Sequence, residues 1–106
     1  MHSVETSVKV VRPVGALTAA TADAFKQEML TAITSGSASE VAIDMAAVDS
    51  VDHSGLVALL AGYDTAKRYR KRLSLCDVAP SVRIVFELAQ LDRAVSMVDR
   101  QELQAA

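Results

Sequence analysis

Apolar and polar residues alternate, or recur at helical spacing, in short blocks along the whole chain. The valine-rich block 7–14 predicts a strand, and Pro13 near its end indicates an edge position or a strand terminus. Apolar residues that recur every three or four positions predict a helix over 18–35, capped by Thr18 or Thr21. The first third of the chain therefore predicts one strand followed by one helix.

The rest of the chain continues this alternation of strands and helices. Block 40–45 is apolar at consecutive positions, which is typical of a strand buried on both faces of a parallel sheet. The further predicted elements are a helix over 54–70, a strand over 72–77, a helix over 81–89, a short strand over 95–98 and a tail or short helix over 100–106. This order predicts a single α/β domain over 1–106 with right-handed crossovers.

The helix predicted over 54–70 has the clearest pattern. The residues that share one of its faces, with Val57 beside them, are Leu56, Leu59, Leu60, Tyr63 and Lys67. The basic run 67–72 places positive charge at the helix C-terminus, where the helix dipole favours it. In an acidic chain, this run is typical of a solvated helix terminus rather than of a nucleic-acid site.

The composition of the chain argues against several classes of function. The chain has 106 residues, a net charge of -2 and 4% aromatic residues, so we expect no nucleic-acid partner. It has no apolar stretch long enough for membrane insertion and no signal-peptide pattern, which predicts a cytoplasmic protein. The single cysteine, Cys76, belongs to no zinc-spaced cluster, so we expect it in the core and predict no cofactor and no metal.

The stretch VDSVDHSGL, residues 48–56, carries the candidate chemistry. Asp52, His53 and Ser54 are adjacent, and neighbours entering a helix diverge by about 100° per residue, so they cannot converge as a catalytic triad. No G-x-S-x-G elbow is present, and we predict no enzymatic activity. Asp52 or Ser54 suits helix capping, with Gly55 allowing a close backbone approach. The same helix start also suits a phosphate, because free N–H groups face it.

Asp44 closes the strand predicted over 40–45, at the strand end where α/β folds often bind ligands. A capping or loop role is equally open for a single carboxylate. Its assignment depends on the residues that the fold brings beside it.

Residues 41–94, VAIDMAAVDSVDHSGLVALLAGYDTAKRYRKRLSLCDVAPSVRIVFELAQLDRA, resemble the STAS domain, in particular bacterial anti-sigma factor antagonists. The family pattern is an apolar strand ending in Asp, a short loop, an Asp-Ser-(Ser/Thr)-Gly-Leu helix start and a later helix ending in Leu-Asp. Asp44, residues 52–56 and SVRIVFELAQLDR fill these places in order, and VVRPVGAL matches the Gly-x-Leu turn before the first helix. The resemblance implies a four- or five-stranded mixed sheet with helices mainly on one face.

The resemblance also implies a non-catalytic switch. Antagonists of this family bind a serine-kinase anti-sigma factor, which then releases its sigma factor. The kinase phosphorylates the hydroxyl directly after the motif Asp and so blocks binding, and a serine phosphatase resets the cycle. The implied partners are this kinase and this phosphatase, and the implied state is a monomer or weak dimer. The implied partner-binding and switch residues are Asp52, His53, Ser54, Gly55, Leu56, Thr18 and Asp44.

Two departures from the family pattern affect the switch. His53 stands at the acceptor place directly after Asp52, although the second hydroxyl is kept as Ser54, and Thr18 stands where the family usually has Asp. Three interpretations stay open. Ser54 is the phosphoacceptor, the protein is an antagonist without a switch, or it is a non-phosphorylated STAS subunit or module of a transporter or signalling complex. We take Ser54 as the candidate phosphoacceptor and partner switching as the leading function.

Overall fold

The computed structural model describes residues 7–91 and 96–98. The strands are β1 (Val8–Val11), β2 (Ala16–Leu17), β3 (Glu40–Asp44), β4 (Ser50–Val51), β5 (Arg72–Cys76) and β6 (Ser96–Val98), and the helices are α1 (Ala22–Thr34), α2 (His53–Arg68) and α3 (Pro80–Leu88). The predicted tail or short helix over 100–106 lies outside the described residues. None of these three helices has the length and apolar character of a membrane span.

Four strands form the main sheet, in the order β1-β3-β5-β6. Neighbours run parallel, with Val11 opposite Ile43 and Ile43 opposite Leu75. Each neighbouring pair is connected through a helix, and such a crossover returns the chain in the same direction. The α/β class is therefore confirmed with a four-stranded main sheet. The expected mixed sheet is corrected, because every strand pairing in the described residues is parallel.

The helices pack on one face of the main sheet. The chain steps across the sheet in one direction only, so right-handed crossovers place the three helices on the same side. Side chains at alternate strand positions, such as Val11, Ile43 and Leu75, join Phe25 of α1 and Phe86 of α3 in one buried cluster. This confirms the expected arrangement of helices mainly on one face.

Small residues form the buried face of α2. The buried residues are Gly55, Ala58, Leu59, Gly62 and Ala66. At Gly62, the sulfur and terminal methyl group of Met29 lie against the position that a Cβ would take, so α1 and α2 approach closely. Of the large apolar residues, Leu59 is buried and Leu56 and Tyr63 pack against the core, whereas Leu60 is 37% exposed and Val57 is 50% exposed. The predicted face therefore overlaps the buried one only in part.

A second, two-stranded sheet includes part of the segment 46–53, for which the sequence predicts no strand or helix. This segment contains β4, which pairs in parallel with β2. Gly15, with φ of 83°, turns the chain from β1 into β2, and its N–H donates to Ala47 O at 2.8 Å. The small sheet therefore places the segment before α1 beside the segment before α2.

Candidate functional site

The start of α2 is fixed to β2 by backbone hydrogen bonds. Leu17 of β2 pairs with Val51 of β4. Directly after β4, the Asp52 N–H donates to Leu17 O at 3.0 Å. Thr18, which follows Leu17, therefore lies beside the helix start, as the predicted site requires.

Asp52 caps α2. Its Oδ1 accepts a hydrogen bond from the Gly55 N–H at 3.1 Å, and its backbone carbonyl accepts one from the Leu56 N–H at 3.0 Å. The carboxylate thus satisfies a free N–H group of the first turn, which confirms the predicted capping role.

Replacement of Asp52 measures how much the cap contributes to the stability of the folded protein. We expect Asp52→Ala to lower the free energy of unfolding by about 1 kcal/mol, because the Gly55 N–H loses its acceptor. Asp52→Asn keeps an oxygen acceptor and should lose only a few tenths of a kcal/mol, from the weaker interaction with the helix dipole. Urea unfolding followed by circular dichroism measures both variants. Equal losses for the two would show that the hydrogen bond from the Gly55 N–H to Asp52 does not stabilise α2.

His53 and Ser54 border a groove between α1 and α2. The groove has a volume of about 380 Å³. Its lining residues are Ala19, Ala22, Asp23, Lys26, His53, Ser54, Val57 and Ala58. His53 is exposed, Ser54 is half-buried and Val57 is 50% exposed. We call this groove, together with Thr18 and residues 52–56, the recognition surface.

Lys26 and Asp23 are groove residues that the sequence analysis missed. Both belong to α1, and the packing of α1 against α2 brings them beside His53 and Ser54. Charged residues on the outer face of an amphipathic helix occur on every surface helix. No pattern in the chain therefore distinguished these two from the other charged residues of α1.

Thr18 is held in a hydrogen-bonded turn before α1. Its N–H donates to Thr21 Oγ1 at 2.9 Å, and its own Oγ1 accepts from the Ala20 N–H at 3.2 Å. Thr21 Oγ1 donates to Ala16 O at 2.7 Å. Thr21 occupies the cap position of α1 as predicted, but its side chain makes no cap hydrogen bond. The two threonines therefore order the loop beside α2.

Asp44 lies at the end of β3, as predicted, and is 6% exposed. Its Oδ1 accepts from the Ala46 N–H at 3.0 Å, and Arg12 Nε lies 3.4 Å from its Oδ2. Ligand atoms of Asp44, Cys76 and Asp77 lie within 4.8 Å of one another, so this group could hold a metal ion. The Arg12 guanidinium already places a positive charge beside the Asp44 carboxylate, which a metal ion would otherwise supply. These contacts give Asp44 a structural role in the loop after β3.

The sequence matches a family model described as Mlab, STAS domain, over residues 2–99. A search of curated protein sequences finds no match. The family match spans the main sheet, the three helices and the recognition surface.

Solved structures with the same fold include regulators and a transporter domain. The anti-sigma factor antagonist SpoIIAA in its unphosphorylated form matches with a TM-score of 0.76 and 24% identity, over 98% of this chain and 89% of that one. An anti-sigma factor antagonist from Mycobacterium paratuberculosis has a TM-score of 0.75 and 24% identity, over 90% of this chain and 80% of that one. A SulP transporter STAS domain from Vibrio cholerae has a TM-score of 0.65 and 11% identity, over 98% of this chain and 89% of that one. At these identities, the likeness shows a shared fold.

Proposed function

The chain belongs to the STAS domain family, and we propose that it is a partner-switching regulator of the anti-sigma factor antagonist kind. It binds a serine-kinase anti-sigma factor through the recognition surface and catalyses no reaction itself. The shared fold of solved anti-sigma factor antagonists supports this proposal. One observation carries it, namely the exposed apolar and polar side chains that surround a groove at the start of α2.

The recognition surface has the properties of a protein-binding site. Val57 is 50% exposed and Leu60, one turn further on, is 37% exposed, so apolar area is available to a partner. His53 and Ser54 add polar groups beside this area. The pairing of β2 with β4 and the Asp52 cap fix the surface before binding, so little conformational entropy is lost when a partner docks.

Thr18 and Asp44 act in this proposal as positioning residues. Thr18 orders the turn next to the helix start, and Asp44 holds the backbone of Ala46 in the loop that leads to β4. Neither residue needs to touch the partner for its loss to weaken binding. The regulator works in the cytoplasm, as a monomer or weak dimer, without a cofactor.

Ser54 is the proposed phosphoacceptor. It is the second residue of α2 and lines the groove together with Lys26. A phosphate on Ser54 would bring close to two negative charges. The N–H groups of the helix start and the Lys26 ammonium group would stabilise those charges. The phosphate would also fill part of the groove, so the kinase would release its modified partner until a serine phosphatase removes the group.

The Ser54 proposal predicts where phosphate is added. Incubation with the serine-kinase anti-sigma factor of the native host and ATP should add one phosphate to the wild type and none to Ser54→Ala. Intact-mass spectrometry at neutral pH measures the modification, since acid would hydrolyse phosphohistidine. His53→Ala is the control and should be phosphorylated like the wild type. Undiminished phosphorylation of Ser54→Ala would exclude Ser54, and selective loss in His53→Ala would identify the histidine instead.

A second candidate function is that of a non-phosphorylated STAS subunit or module of a transporter or signalling complex. His53 favours it, because an exposed imidazole at the family acceptor place cannot become phosphoserine. The fold is also shared with the SulP transporter domain from Vibrio cholerae. Capture of a serine-kinase anti-sigma factor by the tagged protein in native lysate would support the first function. Capture of a transporter ATPase or membrane subunit would support the second.

A further inference from the structure

A run of cations lies at the opposite end of α2 from the recognition surface. Residues 67–72, here called the basic end, join the last turn of α2 to the start of β5. Of the chain's 11 Lys and Arg residues, the basic end contains Lys67, Arg68, Arg70, Lys71 and Arg72. The Arg68 side chain is 76% exposed, and Tyr69 in the middle of the run is 52% exposed. The proposed recognition of a kinase uses none of these residues.

Nearby acidic groups neutralise only part of this charge. Asp64 Oδ2 lies 3.4 Å from Arg68 Nη2, but both side chains are largely exposed, so the pair is weak and easily exchanged. Glu40 lies opposite Arg72 in the strand register, and its carboxylate accepts a hydrogen bond from Ser74 Oγ at 2.6 Å. These two carboxylates face five cations, so the basic end keeps a net positive charge.

Arg70 occupies a backbone position that favours glycine. In the turn that ends α2, the Arg70 N–H donates to Lys67 O at 3.1 Å and the Lys71 N–H donates to Ala66 O at 2.8 Å. This turn requires a left-handed residue, and Arg70 has φ of 56°. A side chain in that conformation costs energy that glycine would not cost. The chain therefore carries a cation where folding alone favours another residue.

The charges are separated along the direction of the strands. Asp44, paired with Arg12, is the last residue of β3, and Asp52 and Asp77 directly follow β4 and β5. The basic end instead adjoins the N-terminal end of β5. The 16 residues of α2 separate the two ends by about 24 Å. This distance is about three Debye lengths at physiological salt. A flat anionic surface at the basic end would therefore not be repelled by the carboxylates of Asp52 and Asp77, whereas a polyanion wrapped around the domain would be.

We propose that the basic end binds the surface of membranes that contain anionic phospholipids. Clustered Lys and Arg side chains are attracted to the negative potential of such a surface. The exposed ring of Tyr69 suits the boundary between headgroups and water. Bound in this way, the domain keeps the recognition surface on the side away from the membrane, open to a protein partner. No apolar segment of the basic end enters the bilayer, so the contact is peripheral and reversible.

Co-sedimentation of the full chain with lipid vesicles tests this proposal. We expect binding to phosphatidylcholine vesicles that contain about 30% phosphatidylserine, and none to pure phosphatidylcholine. Raising the salt to about 0.5 M should release the protein, because the charges are then screened. Arg70→Gly should lower the partition coefficient about five-fold, and the double variant Lys67→Gln, Arg70→Gly about 30-fold, since each step removes one cation.

Gln90→Gly is the matched control. Gln90 occupies the equivalent left-handed position after α3, with φ of 60°, and carries no charge. Both glycine variants should raise the unfolding midpoint, but only Arg70→Gly should weaken vesicle binding. The proposal is overturned if the wild type does not bind anionic vesicles at about 0.1 M salt, or if the double variant binds them as well as the wild type. Binding to a short DNA duplex without binding to vesicles would also overturn it, in favour of a nucleic-acid site.

Discussion

Substitution of Gly55 by alanine is expected to lower the free energy of unfolding by about 2–3 kcal/mol, as in other overpacked sites. A Cβ at this position would lie 2.7 Å from Leu17 O and 2.8 Å from Val51 Cγ1. Leu17 has little freedom to move, because its carbonyl accepts the Asp52 N–H and its side chain is 2% exposed. The alanine gains about 1 kcal/mol in helix propensity, which is less than the cost of displacing α2 from β2.

Gly62→Ala is the matched control within the same helix. Its added methyl group would meet the sulfur and terminal methyl of Met29, which form the flexible end of a side chain. We expect a loss of about 1 kcal/mol or less, since rotation of Met29 and the gain in helix propensity offset the contact. Urea unfolding measures both variants. If Gly62→Ala lost more stability than Gly55→Ala, α2 would not approach β2 as closely as described.

The main sheet and the three helices could be predicted because each has a sufficiently long pattern. The three central residues of β3 are apolar, and all of its residues after Glu40 are buried. Pro80 is the first residue of α3, where its missing N–H is not needed. The order of these elements then determined the α/β class, because helical crossovers between neighbouring strands require parallel pairing.

The small sheet and the buried face of α2 could not be predicted in the same way. β2 and β4 have two residues each, which is too short for any alternation to show. In α2, the large apolar residues indicated one face, but the small residues around Ala58 and Gly62 form the contact with α1. Which face is buried depends on how closely the neighbouring helix approaches, and that distance is set by tertiary packing.

The candidate site was predictable where residue type and position along a helix decide the role. Asp52 caps α2 because a short acceptor is favoured directly before a helix. The groove was not predictable, because Lys26 and Ser54 are distant in the sequence and meet only through the packing of α1 on α2. Ser54 as a phosphoacceptor stays a prediction.

Substitution of Val57 by aspartate is expected to weaken partner binding at least about 100-fold, the effect of losing a binding hot spot. Val57 lines the groove and is 50% exposed, so the free protein tolerates a carboxylate there, with a stability change within about 0.5 kcal/mol. In the complex, the same carboxylate would lose its hydration where an apolar side chain contacts the partner. The substitution therefore lowers the affinity for the partner and leaves the stability of the free protein nearly unchanged.

Tyr69→Asp is the matched control for Val57→Asp. Tyr69 follows the same helix and is 52% exposed, so both substitutions place a carboxylate at a half-exposed position. It lies about 24 Å from the helix start, beyond the reach of screened charge at physiological salt. We expect its affinity for the partner to stay within about two-fold of the wild type.

The central claim, that a protein partner docks at the start of α2, is tested most directly by calorimetric titration. The serine-kinase anti-sigma factor is titrated into the wild type, Val57→Asp and Tyr69→Asp, each shown by circular dichroism to be folded. We predict equal dissociation constants for the wild type and Tyr69→Asp, and a value at least about 100-fold higher for Val57→Asp. Wild-type affinity in Val57→Asp would contradict the placement of the partner on this surface.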